Sequence, residues 1–247
     1  MKIADAVKSF LSPPICPGCR ECIAVKYGAE NVICPDCGMK WIAARSTLCK
    51  KCSEPWHSCI CTDRRLESAG VSAHIKLVPY RSRDGIGNRV VHYIKTVSGK
   101  KVFSMLGREL ADELGLYFNR MGLRREDAIL TYAPRSRRTV RIVGFDQAKL
   151  LTRAVSQHSG IPYVKLLNRK SRSGKAQKAL SAKAREKNTK GMFEFCAREG
   201  LSGKTVILVD DLVTTGATLG ECARVMKKNG ASLVICASVA YTESEES

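Results

Sequence analysis

A parallel β-sheet flanked by helices, preceded by a small cysteine-rich module, is the architecture this sequence predicts. Three observations point to it. Nine of the 12 cysteines fall between Cys16 and Cys61. From residue 128 onward, short apolar runs alternate with stretches of helical periodicity. Val206–Val209 is a continuous apolar, largely β-branched run, as expected of a strand covered on both faces.

The elements follow in chain order. Ile3, Val7, Phe10 and Leu11 fit one face of a short helix. Residues 1–63 are rich in Cys, Pro and Gly and form the first predicted unit; residues 64–247 form the second. Between about 64 and 127 strand signals are few, and Phe103, Leu106, Leu110 and Leu114 recur at near-helical spacing. Ala128–Tyr132 reads as a strand that stops at Ala133-Pro134. Asp146 can cap a helix running to about Gln157, with Gly160 as its stop. Ile161–Leu167 reads weakly as a strand, and Ser181 can cap a short basic helix that ends before Gly191. After Val206–Val209, Thr218–Lys228 carries Leu219, Cys222, Ala223 and Met226 on one face and ends at Asn229-Gly230. Leu233–Val239 is a second buried strand, and Thr242–Ser247 reads as a disordered acidic tail. This β-α-β rhythm argues for a parallel sheet with helices on both faces.

Composition narrows the function classes. At 44% hydrophobic and 26% charged residues the chain is ordinary for a globular protein. Its net charge of +19 is not ordinary and predicts a polyanionic partner, a phosphorylated metabolite or a nucleic acid. Lys2, Asp5 and Lys8 interrupt the N-terminal apolar residues, so no signal peptide is expected. No apolar run approaches the ~18 residues of a membrane span. A reducing cytoplasm follows, where clustered cysteines bind metal rather than pair.

Two copies of a C-P-x-C knuckle, Cys16/Cys19 and Cys34/Cys37, stand 14 residues apart. Two thiolates separated by two residues can hold one ion within a tight turn, and two such turns complete a tetrahedral zinc site. A second set is Cys49/Cys52 and Cys59/Cys61, with His57 as an alternative to Cys59. Two closed, structural zinc ions are expected. Cys22 is a ninth thiol, either a spare or an exchange partner for Cys19.

The strongest chemical signal is Thr205-Val-Ile-Leu-Val-Asp-Asp-Leu-Val-Thr-Thr-Gly-Ala-Thr218. A buried strand delivers Asp210 and Asp211 to its carboxyl end, the edge where open α/β sheets bind ligands. Amides from Thr214 to Ala217 can form a nest at a helix N-terminus, where phosphate is favoured. Gly216 admits close backbone approach, and the hydroxyls of Thr214, Thr215 and Thr218 add donors. Asp210 and Asp211 repel phosphate but suit vicinal sugar hydroxyls, and a magnesium ion shared with a diphosphate. Donors for phosphate beside paired acids describe a phosphorylated sugar.

This D-D-x-x-T-T-G-x-T pattern resembles the loop by which type I phosphoribosyltransferases hold 5-phosphoribosyl 1-diphosphate. The whole chain resembles the competence protein F (ComF) family, a double zinc ribbon joined to a phosphoribosyltransferase-like sheet. Tyr80…Gly85…Ile94-Lys95 is similar to that family's entry into its second part. Gly144-Phe-Asp-Gln-Ala148 is similar to its G-F-N-Q-A motif, with Asp146 for Asn and Val143 where Arg is usual. Gln177…Leu180-Ser181…Arg185…Asn188…Gly191…Phe193 follows its Q-x-x-L-S…R-x-x-N-x-x-G-x-F pattern. The resemblance implies a role in DNA uptake during natural transformation, alongside other uptake proteins, without implying an established transferase reaction.

Residues 165–190 hold ten Lys or Arg against Glu186, and residues 134–153 hold six against Asp146. By the same resemblance, Arg135 is the diphosphate candidate and Arg169–Lys178 the mobile loop that closes over it. The same charges could grip single-stranded DNA, but aromatics for stacking are sparse, so salt-dependent binding with little sequence preference is expected. Two functions are therefore carried forward. One is a DNA-handling protein with a phosphoribosyl site. The other is an enzyme that moves ribose 5-phosphate to a nitrogen base, with Asp210 and Asp211 at the reacting sugar.

Overall fold

The computed structural model describes residues 14–23, 31–80, 85–170 and 189–242. The N-terminal helix, the Ser181 helix and most of the Arg169–Lys178 loop lie outside the described residues, as does the acidic tail beyond Thr242. The helices are α1 (Pro35–Arg45), α2 (Arg64–Ser68), α3 (Ile86–Thr96), α4 (Lys100–Met121), α5 (Arg137–Val143), α6 (Gln147–Ser159) and α7 (Ala217–Lys228). The strands are β1 (Ala73–Pro79), β2 (Ala128–Tyr132), β3 (Leu167–Arg169), β4 (Phe193–Phe195), β5 (Thr205–Val213) and β6 (Leu233–Tyr241).

Four strands form one parallel sheet in the order β1-β6-β5-β2. Its central strands β5 and β6 are nearly devoid of solvent contact, which is why Val206–Val209 and Leu233–Ala237 within them read as unbroken apolar runs. β3 and β4 pair antiparallel as a separate ribbon. Each edge of the main sheet is met by irregular backbone. Leu130 of β2 donates its amide to the Pro162 carbonyl (2.9 Å) and accepts from the Val164 amide (2.9 Å). His74 of β1 donates to the Ile60 carbonyl (3.1 Å).

One face of the sheet packs Ile207, Val209 and Ile235 against Val90, Ile94, Leu106, Leu110 and Leu151 of α3, α4 and α6. α4 and α6 cross closely at Gly107, where a Cβ would stand 2.5 Å from that of Ala154. The other face packs Val206, Leu208 and Cys236 against Leu66, Leu219, Cys222 and Met226. The cysteine module spans both layers: Cys16, Cys37 and Trp41 join the first core, and Cys49, Trp56 and Cys59 join the second.

Capping follows the sequence closely. Asp146 Oδ1 accepts the Lys149 amide (3.3 Å), and Gly160 ends α6 with φ +73°. Three expectations are corrected. β1 lies in the 64–127 stretch where few strand signals are expected, because His74 and Lys76 are buried and break the apolar pattern. Ile161–Leu167 contributes only a bridge at Tyr163, and the strand begins at Leu167; Pro162 has no amide to give to a ladder. β5 and β6 run on to Val213 and Tyr241, each lengthened by pairing with the other.

Candidate functional site

The length of β5 changes where the paired acids sit. Asp210 and Asp211 lie inside the strand, Asp210 opposite Ser238, and not in the turn beyond it. Asp210 Oδ1 accepts the Asp211 amide (2.8 Å), and Asp211 Oδ1 accepts the Leu212 amide (3.1 Å). Asp211 is buried, and its Oδ2 faces Arg135 Nη2 at 3.3 Å and Lys95 Nζ at 4.0 Å. Two cations therefore face its carboxylate. Asp210 keeps a partly open edge toward the cleft but is otherwise enclosed. Burial first, then the neighbouring Asp211 charge, hold its carboxyl well above the usual carboxylate range.

That shift has a signed consequence. Between the ordinary aspartate pKa of ~3.9 and the raised native one, the folded state binds more protons than the unfolded state. Stability therefore falls as pH rises through that window, and the cost persists above it. Asp210→Asn cannot ionise. It is expected to melt a few degrees higher than wild type at pH 8, the size of about 1 kcal/mol in a chain this long, with the gain vanishing toward pH 3. Calorimetric scans across pH check it, and a variant less stable than wild type at pH 8 contradicts it.

After Val213 the chain turns through Thr214, Thr215 and Gly216 into α7. Gly216 occupies the cap position with φ +67°, a left-handed conformation that disfavours any side chain. No side chain caps α7, and the first amides of a helix have no intrahelical acceptor. A cleft of ≈ 40 Å³ is lined by Asp210, Thr214, Thr215, Gly216, Ala217 and Thr218. That volume is about one water's share. The loop is backed from behind by the chain just after the cysteine module, at the start of α2. A Cβ on Gly216 would meet Asp63 Oδ2 at 2.8 Å, and Arg65 Nη1 donates to the Thr215 carbonyl (3.3 Å).

The G-F-D-Q-A segment has a positioning part here. Asp146 Oδ2 accepts the Arg135 amide (3.0 Å), and Gln147 Nε2 donates to the Lys95 carbonyl (2.9 Å). Adjacent residues thus place both cations that face Asp211. The approach of Lys95 to Asp211 depends on how α3 meets the sheet, which sequence periodicity does not specify.

The cysteines gather as their spacing predicts. Cys16, Cys19, Cys34 and Cys37 form one group and Cys49, Cys52, Cys59 and Cys61 another, with sulfurs within 4.8 Å of one another in each. Cys19 and Cys34 sulfurs stand 3.8 Å apart, the separation of two thiolates each ~2.3 Å from a tetrahedral ion. Each group could hold a metal ion, and four thiolates suit zinc. Burial alone would raise the Cys16 thiol, but amides of Cys34, Cys19 and Gly18 outweigh it and bring it to about 7. Cys49 likewise reaches about 7 through amides of Cys52 and Lys51. Cys59, not His57, completes the second group: His57 Nδ1 lies 3.1 Å from Glu113 Oε1. Cys22 is exposed and outside both groups. Sequence reading missed buried Lys76, whose Nζ donates to the carbonyls of Cys61 (2.7 Å) and Cys59 (3.3 Å). Among the described residues no helix is long and apolar enough to cross a membrane.

Known proteins share sequence with this chain. The phosphoribosyl transferase domain family matches residues 144–247. A protein of Salmonella typhimurium called DNA utilization protein YhgH is 28% identical over 223 residues, 90% of this chain and 94% of its own. Competence protein F of Haemophilus influenzae is 34% identical over 88 residues, 35% of this chain and 38% of its own. A purine phosphoribosyltransferase from Pyrococcus horikoshii aligns over 56% of this chain and 82% of its own at 19% identity and a TM-score of 0.35, too loose a likeness to bear on the site.

Proposed function

We propose that this chain, which belongs to the ComF family, binds a 5-phosphoribosyl ligand at the β5–α7 loop and single-stranded DNA on its basic surface, serving DNA uptake or utilisation. The observation that carries the reading is the pairing of an uncapped helix start with the strand-borne carboxyl of Asp210 around one cleft, with Asp211 buried next to it in the strand. The amides and hydroxyls of Thr214–Thr218 take the phosphate ester. Asp210 and Asp211 accept from the ribose hydroxyls, which bare phosphate lacks. Arg135 faces a diphosphate at the anomeric position, and a magnesium ion held with it would offset the remaining charge.

The four-thiol groups hold structural zinc, closed to substrate, and fix the cysteine half against the sheet. The relatives named for DNA utilization and competence supply the biological setting. The charge of +19 supplies the physical one, since it exceeds what a small anionic ligand needs. The exposed guanidiniums of Arg137, Arg138 and Arg141 on α5 lie just beyond Arg135 and extend the basic surface from the cleft mouth.

Arg135 beside Asp211 is also the arrangement a transfer reaction would use, with a cation on the departing diphosphate and a carboxylate near the sugar. Titration calorimetry with 5-phosphoribosyl 1-diphosphate and magnesium separates the possibilities. Wild type is expected to bind. Thr215→Ala, which removes one hydroxyl donor to a charged group, is expected to weaken binding about tenfold. Diphosphate release on adding bases would identify the enzyme. An absence of heat with wild type would overturn the phosphoribosyl reading.

A further inference from the structure

A second basic cleft lies away from the phosphate loop, in the seam between the first cysteine group and α3. It measures ≈ 400 Å³, within the range of small-molecule sites, and Arg20, Arg89, His92, Tyr80 and Asn88 line it. Gly18 and Cys19 complete the lining, and among the described residues no carboxylate lines it. Arg20 and His92 also line an adjoining hollow of ≈ 740 Å³, so they stand on the ridge between two concave surfaces.

Arg20 is set there with care. It adopts φ +68°, a conformation unusual for a residue with a side chain. Its guanidinium stacks 4.6 Å from the centre of the Tyr93 ring, and Nη2 lies 3.2 Å from His92 Nδ1. A guanidinium has five N–H donors, so these contacts orient the group while leaving donors for a ligand. Asn88 Oδ1 is buried and has no partner among the described residues. A buried acceptor without a donor is costly, and a ligand N–H would satisfy it.

Location adds a further constraint. Tyr80 follows β1 directly and donates its amide to the Tyr241 carbonyl at the end of β6 (2.8 Å). The cleft therefore opens at the carboxyl edge of the sheet, the same edge as the Asp210–Thr218 loop. β6 alone separates β1 from β5, so the two sites begin about 10 Å apart at ordinary strand spacing.

Cations with no carboxylate among the described lining residues call for an anion, a bordering tyrosine offers a planar surface, and an amide oxygen unpaired among the described residues calls for a donor. We propose that the seam cleft binds one nucleotide, with Arg20 and Arg89 on its phosphate, Tyr80 against its base and Asn88 Oδ1 accepting from a base N–H. The nucleotide is a unit of single-stranded DNA, which rests on the DNA-binding half of the proposed function; a free nucleotide carries the same chemistry.

The test uses the full chain with zinc. Binding of a labelled oligothymidylate about 12 nucleotides long, within the span such proteins cover, is read by anisotropy, and thymidine 5′-monophosphate by calorimetry. The variants are Arg89→Ala on exposed helix, Tyr80→Leu, which leaves charge unchanged, and Arg20→Gly, which keeps the left-handed backbone. Lys228→Ala, exposed on α7, controls for lost charge alone. Each cleft variant is expected to weaken oligonucleotide binding about tenfold, the size of one lost stacking or charge-assisted contact. Lys228→Ala is expected to change it less than about twofold, and binding of 5-phosphoribosyl 1-diphosphate is expected to persist in all four. Cleft variants that behave like Lys228→Ala overturn the inference and leave the proposed function standing. Wild type that binds neither probe overturns both. Mononucleotide binding sensitive to the variants, without oligonucleotide binding, supports the cleft and assigns it a free nucleotide, removing the DNA half of the proposed function.

Discussion

Replacing Cys49 and Cys59 together by serine is expected to lower bound metal from two ions per chain to one and to destabilise the protein severely. Both thiols are buried within the second core, beside Trp56. An ion gripped by four thiolates contributes an apparent ~10–16 kcal/mol in small zinc modules, far more than two buried cysteines contribute by packing. Its loss also releases the Cys59–Cys61 turn, whose carbonyls Lys76 holds. Lys76 would then be a buried ammonium with weakened partners, which adds to the cost. Elemental analysis and differential scanning calorimetry check the prediction. Two ions retained by the double variant would show that the cysteines are packed hydrophobes and not ligands.

Gly216→Ala is expected to abolish binding of 5-phosphoribosyl 1-diphosphate, by about 100-fold or more, while costing about 1–3 kcal/mol of stability. Two effects add. The φ of +67° strains any residue with a Cβ. The new methyl would also stand 2.8 Å from Asp63 Oδ2 and 3.1 Å from Leu66 Cγ. Asp63 cannot move aside freely, because its Oδ1 accepts the amides of Arg65 (2.9 Å) and Leu66 (2.8 Å) at the start of α2. The loop must shift instead, and the amides that hold the phosphate shift with it. Calorimetry with the ligand, beside a urea melt, measures both. Binding within about threefold of wild type would mean that those amides do not make the site.

Much of the fold could be read from the chain because its signals are local. The apolar run at Val206–Val209, the Asp146 cap and the glycine stop at Gly160 each act within a few residues. The cysteine groups were legible for the same reason, since ligand spacing encodes the turn. What could not be read depends on partners distant in sequence. β1 was missed because Lys76 and His74 are polar yet buried, Lys76 held by the Cys59 and Cys61 carbonyls and His74 Nε2 paired with Ser238 Oγ (2.8 Å). The end of β5 was placed too early because its last pairs are supplied by Ala240 and Tyr241. Within the site, the loop residues from Asp210 to Thr218 are contiguous and were all legible. Lys95 and the backing pair Asp63 and Arg65 come from elsewhere in the chain, and no local pattern marks them.

The irregular segments along the outer strands bear on how the molecule meets its own kind. A strand edge with open amides and carbonyls invites a second copy to add a rung. Here Pro162 and Val164 occupy Leu130 on one flank, and Ile60 occupies His74 on the other. Self-association by ladder extension is thereby discouraged at both flanks, which matters for a protein with such long apolar strands at its centre.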